Sequence, residues 1–147
     1  MKRVLLCLGM GATLLASSCK KDVGGLTENT WMVSGKLFTA TSVAASSATN
    51  YISAADGTGS SLDFSFTNLP TGNTNYTVND VAYTDNDVAV RAVLGGNLVY
   101  NSINNNGAYV ISRTANGTYT LIMNDIKMVN AASSKDTVTV SAYLISK

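Results

Sequence analysis

Ser61-Leu62-Asp63-Phe64-Ser65-Phe66-Thr67 alternates apolar and polar residues without a break. Successive side chains of an extended chain point to opposite faces, so this spacing predicts a half-buried β-strand. Leu62, Phe64 and Phe66 are expected inward, Asp63 and Ser65 outward. Before the strand, Asp56-Gly57-Thr58-Gly59-Ser60 has turn chemistry, because glycine accepts positive φ. After it, Pro70-Thr71-Gly72-Asn73 stops the run.

The same period of two continues in both directions. Toward the C-terminus, Asn75 to Val78 predicts a short strand. Asp85-Asn86-Asp87 then turns into Val88 to Leu94, and Gly95-Gly96 turns into Asn97 to Asn101. Asn104-Asn105-Asn106-Gly107 and Asn116-Gly117 carry the Asn-Gly pair favoured by tight hairpins. Ala108 to Arg113 lies between them, and Thr118 to Met123 follows, continuing past Asp125 to Val129. Ala131 to Lys135 is expected as the last loop. Thr137 to Leu144 closes the series with Val138, Val140, Ala142 and Leu144 inward. Toward the N-terminus, Trp31 to Thr39 is expected to be extended, with Trp31, Val33 and Leu37 on one face. Ser42 to Asn50, rich in Ala and Ser, fits a short helical turn or a loop.

About eight short strands with short turns predict an all-β fold, an antiparallel β-sandwich with a small closed β-barrel as the alternative. A parallel sheet needs long crossovers, and no amphipathic helix is visible. An outer-membrane barrel needs strands of roughly 9–11 residues with an outward apolar band, which these runs do not provide.

Residues 1–30 differ in kind. Lys2 and Arg3 precede twelve uncharged, mostly apolar residues, Val4 to Leu15, and then the small residues Ala16-Ser17-Ser18 and Cys19. Charged start, short apolar run and small residues form an export-signal pattern. The run is shorter than the roughly 20 residues of a spanning helix. Residues 1–18 are therefore expected to be a cleaved signal, 19–30 a tether, and 31–147 a single β-domain. Lys20 to Thr30 contains Gly24-Gly25 and no apolar period, and ten flexible residues reach about 18 Å.

Composition removes several chemistries. There is no histidine, which excludes Ser-His-Asp and Cys-His catalysis and histidine-ligated zinc. Cys7 is expected to leave with the signal, so Cys19 has no second cysteine in the chain to form a disulfide with. Without Lys2 and Arg3, eight basic residues face nine acidic ones. No basic stripe suited to nucleic acid exists. Neither a phosphate-binding glycine loop nor a dinucleotide fingerprint is present. Paired Asp residues could serve a glycosidase, with Asp63 meeting Asp125 or Asp80 in space. Asp80, Asp85, Asn86 and Asp87 gather oxygen ligands of the kind calcium takes, although the glycine and distal Glu of an EF-hand are missing. Seven tyrosines are spread along the chain. They suit cross-strand packing, or sugar stacking if several share an exposed face.

Ala16-Ser17-Ser18-Cys19 resembles the bacterial lipobox. That resemblance implies a diacylated Cys19 thiol and cleavage before it. The family prefers Leu, Val or Ile three residues before the cysteine. Here Ala16 holds that place and Leu15 stands one further back. Two or more acyl chains hold a protein stably on a membrane. Cys19-Lys20-Lys21-Asp22 resembles the start of many Bacteroidota lipoproteins, in which such charges are associated with transfer to the cell surface. Asp136-Thr137-Val138 resembles their O-glycosylation acceptor, with Thr137 as the modified residue. Trp31-Met32-Val33-Ser34-Gly35, Gly107 to Ile111, Asn116 to Leu121 and Thr137 to Val140 together look like a group of small Bacteroidota lipoproteins with one β-rich domain. That likeness covers most of residues 31–147 and implies no activity and no site residues.

The expected role is a non-catalytic structural or interaction lipoprotein without a cofactor. It is expected on the outer membrane, surface-exposed or else on the periplasmic face. The partners expected are the membrane and a protein or glycan. The alternative is a module binding a glycan or small molecule.

Overall fold

The computed structural model describes residues 25–104 and 108–146. Among them are eleven strands: β1 Thr30–Val33, β2 Lys36–Thr39, β3 Ser42–Ser46, β4 Tyr51–Ala55, β5 Ser61–Phe66, β6 Thr74–Asn79, β7 Asp87–Leu94, β8 Leu98–Ser102, β9 Tyr109–Ala115, β10 Thr118–Asn130 and β11 Ser133–Ser146. They form a single sheet running from β2 at one end to β3 at the other. One core cluster joins residues from β1 to β11, so the sheet folds over a common interior as the layers of a sandwich do. Ala40 and Thr41 connect the two end strands directly in the chain, yet β2 and β3 do not pair with each other. The structure is therefore not a closed barrel.

Alternation sets the core. Leu62, Phe64 and Phe66 of β5 are buried, as are Val88, Val90 and Ala92 of β7 and Val140, Ala142 and Leu144 of β11. In β10 the inward set changes phase, from Leu121 and Met123 to Ile126 and Met128. A bulge makes this possible: Met123 pairs with Ala142 but Ile126 with Val140, so Asn124 and Asp125 face one residue, Ser141. One extra residue restores the apolar face that unbroken alternation would have turned to water. Asp125 has φ 49°. Its N–H donates to the Ser141 hydroxyl (2.9 Å), which donates back to the Asp125 carboxylate (3.1 Å).

The sheet forks. Residues Arg91 to Leu94 of β7 pair with β8, whereas Asp87 to Ala89 pair with β6. β8 also pairs with β10, while β6 reaches β10 only through β9. One strand thus fills the gap between β7 and β10 at one end, and two fill it at the other. Val90 sits at the crotch of the fork. Its N–H donates to the buried Ser102 hydroxyl (2.8 Å), which in turn donates to the Asn79 carbonyl.

Several sequence expectations change. Trp31 to Thr39 is not one extended run. Ser34 and Gly35, with φ 45° and 85°, make a two-residue turn, and Trp31 then pairs with Phe38. Phe38 is buried and Leu37 points out. Ser42 to Ser46 is strand, and the strand after the last loop starts at Ser133. The β6–β7 pair is parallel, bridged by a connection without a helix. The folded unit also starts before Trp31. Leu26 is buried, the Asn29 side chain accepts from Ile145 N–H (2.8 Å), and Thr30 opens β1. Finally, Asp63 lies on the outer face but is buried there. Ser53 and Ser61 donate to it at 2.7 and 3.1 Å, and Arg91 lies at 3.8 Å.

Candidate functional site

Three turns gather at one end of the sheet and leave a groove of about 620 Å³. One wall is the β1–β2 hairpin, contributing Val33, Lys36, Leu37, Phe38 and Thr39. The opposite wall is the turn after β4, with Asp56, Thr58 and Ser60, and the β7–β8 turn with Leu94, Gly95 and Leu98. A bond from Gly95 N–H to the Ser60 hydroxyl (3.2 Å) ties these two turns together. Leu37 is 57% exposed and Leu98 50%. Large apolar side chains this open to water, facing one hollow, mark a recognition surface more often than isolated ones do.

The polar groups of the groove are unlike each other. The Lys36 ammonium lies 5.0 Å from the centre of the Phe38 ring, a cation–π distance. Phe38 itself stacks on Trp31 with centroids 5.3 Å apart, so its ring is fixed and mostly covered. Asp56 is spent on its own turn, accepting from Thr58 N–H (2.7 Å), the Thr58 hydroxyl (2.7 Å) and Ser60 N–H (2.9 Å). Burial pushes its carboxyl up slightly, but the bonds from Thr58 and Ser60 outweigh that and hold it down at about 2.

The sites expected from the sequence fall elsewhere. Cys19 lies outside the described residues. Asp80, Asp85, Asn86 and Asp87 all belong to the connection between β6 and β7 or its edge, but each carboxylate serves a separate local bond. Asp80 accepts from Val81 N–H and the Tyr83 hydroxyl. Asp85 accepts from the Asn68 amide, and Asp87 from Thr84 N–H and hydroxyl. Asn86 donates its N–H to the Thr84 hydroxyl. Among the described residues no three acidic side chains converge as a metal would need. Asp63, Asp80 and Asp125 are likewise held by different neighbours, and no hydrogen bond links any two of them. Thr137 is exposed on β11, opposite Val129. Its neighbour Asp136 accepts from the Tyr100 hydroxyl (3.0 Å) and the Asn130 amide (2.7 Å).

The tyrosines do not form a row. Tyr76 and Tyr100 are buried, while Tyr83 and Tyr109 are the two large exposed rings. Burial, and then the bond to Asp63, pushes the Tyr51 hydroxyl up. Bonds to Asp80 and Asp136 do the same for Tyr83 and Tyr100. Trp31 is fully buried, a core anchor. The groove itself was hidden in the sequence because its walls come from segments some twenty to sixty residues apart, each reading as an ordinary turn. Comparison with protein-family models, curated proteins and solved structures returned no match.

Proposed function

We propose that this chain is a lipid-anchored extracytoplasmic protein whose β-domain binds a partner and does no chemistry. The anchor is supported by the order of charge, apolar run, small residues and Cys19. Outer-membrane attachment with the domain on the cell surface is supported by Lys20-Lys21-Asp22 directly after that cysteine, the periplasmic face being the alternative. The observation that carries the binding role is the groove, where Leu37 and Leu98 stand open to water across one hollow.

A glycan partner is the second possibility, favoured by the exposed rings of Tyr83 and Tyr109. A glycan array on which the wild-type protein binds no sugar would remove it. The anchor is tested by metabolic labelling with a palmitate analogue, followed by protease shaving of intact cells. Wild type should carry label and lose its domain to protease, while Cys19→Ser carries none and leaves the membrane fraction. A Cys19→Ser protein that still fractionates with membranes overturns the anchor.

A further inference from the structure

The groove lies along the open edge of a strand. Lys36, Leu37, Phe38 and Thr39 all line it. Side chains alternate along a strand, so a hollow under one face would meet only every second residue. Among the described residues β2 pairs with β1 alone. In a hairpin with a two-residue turn, the flanking residues Val33 and Lys36 exchange bonds, and alternate pairs follow. The series ends in the bond from Ala40 N–H to Asn29 C=O (2.8 Å). Leu37 and Thr39 therefore turn their N–H and C=O groups away from β1, toward the groove. Two free donors and two free acceptors sit beside an apolar hollow and an ammonium.

That combination fits one known mode of recognition, in which main-chain bonds give affinity and pockets for alternate side chains give specificity. We propose that β2 takes up an extended peptide as an added strand, with an apolar peptide side chain between Leu37 and Leu98 and an acidic one beside Lys36. This rests on the binding role above and names the partner's chemistry. Charge selects a foreign peptide over a second copy of the chain. The strand Lys36-Leu37-Phe38-Thr39 holds no acid to meet Lys36 of a twin, and Asp56 is engaged by its own turn.

The test uses the purified full chain in detergent and a displayed library of random ten-residue peptides, the best binder then being synthesised. Recovered peptides should carry apolar residues at alternate positions and an acid. Thr39→Pro removes one outward donor without touching the β1 ladder and should weaken binding about fivefold to tenfold. Thr39→Val, which keeps the amide, should not. Lys36→Glu should reverse the preference from acidic to basic peptides, and serves even if the proline variant folds poorly. On peptide addition the Leu37 and Thr39 amides should gain exchange protection, while those of Lys36 and Phe38 stay as they were. No enrichment over an unrelated control protein overturns the proposal. So do binders indifferent to both Thr39→Pro and Lys36→Glu, or protection of Leu37 that rises with protein concentration alone, the mark of a second copy. None of these results depends on palmitate labelling, so the peptide site and the anchor can fail separately.

Discussion

Single hydroxyls and carboxylates carry much of this fold's specificity. Ser102 closes the fork, satisfying both Val90 N–H and the Asn79 carbonyl. Each group left unpaired in the interior costs about 1–3 kcal/mol, so Ser102→Ala should destabilise by about 2–4 kcal/mol in urea titration. A loss under 0.5 kcal/mol would mean water replaces the hydroxyl freely. Asp56 makes a pH prediction. Its folded value of about 2 lies below the ordinary 3.8, so its contribution to stability is complete above the ordinary value. It fades as pH falls from 3.8 toward 2. Carboxyl NMR should place its midpoint near 2, and Asp56→Asn should remove that part of the acid sensitivity. Alternation placed Asp63 on the outer face, and there it is. Its burial was illegible because the cover comes from neighbouring strands, Ser53 on β4 and Arg91 on β7, which only the register brings together. Leu37 is a related case: a turn at Ser34-Gly35 inside an apparently continuous strand shifts every later side chain by one face.

Among elements, those with strong local chemistry were legible. The Asn116-Gly117 pair forms the turn between β9 and β10 with φ 52° and 76°, the geometry that two-residue hairpins select. Gly117→Ala has open space around it, so its cost is conformational, about 1 kcal/mol, and should appear as a lower urea midpoint with an unchanged slope. Gly117→Ala as stable as wild type would show the turn to be free to re-form otherwise. β3 is not legible in the sequence because Ser42-Val43-Ala44-Ala45-Ser46 has little β-propensity and no alternation. Its pairing with β4 decides its state, a tertiary override of local preference. The bulge at Asn124-Asp125 is equally silent in the sequence, since Thr118 to Val129 reads as one continuing strand and the pairing with Ser141 lies in another.

At the scale of the molecule, β1 pairs with β11, joining Thr30 to Tyr143 across most of the described chain. With one core shared by all layers, unfolding should be a single transition. Trp31, buried in β1 and stacked on Phe38, is the reporter: its fluorescence and the far-ultraviolet circular dichroism should follow one urea curve, and two separated midpoints would show that the hairpin detaches first. The all-β class was readable from the period of two. The fork and the groove were not, because both are relations between strands rather than properties of any one. The antiparallel β1–β11 pair also fixes how the domain would bear force. The chain enters β1 beside the place where β11 ends, so tension applied between those two points would open the pair one bond at a time, like a zip. A molecule held at β2 and drawn toward the Ser34-Gly35 turn would instead pull from the far end of the β1–β2 hairpin, lengthwise, and load its bonds together. A protein fastened through its N-terminal side and gripping in that direction at the groove would give way far less readily than one tugged by its ends.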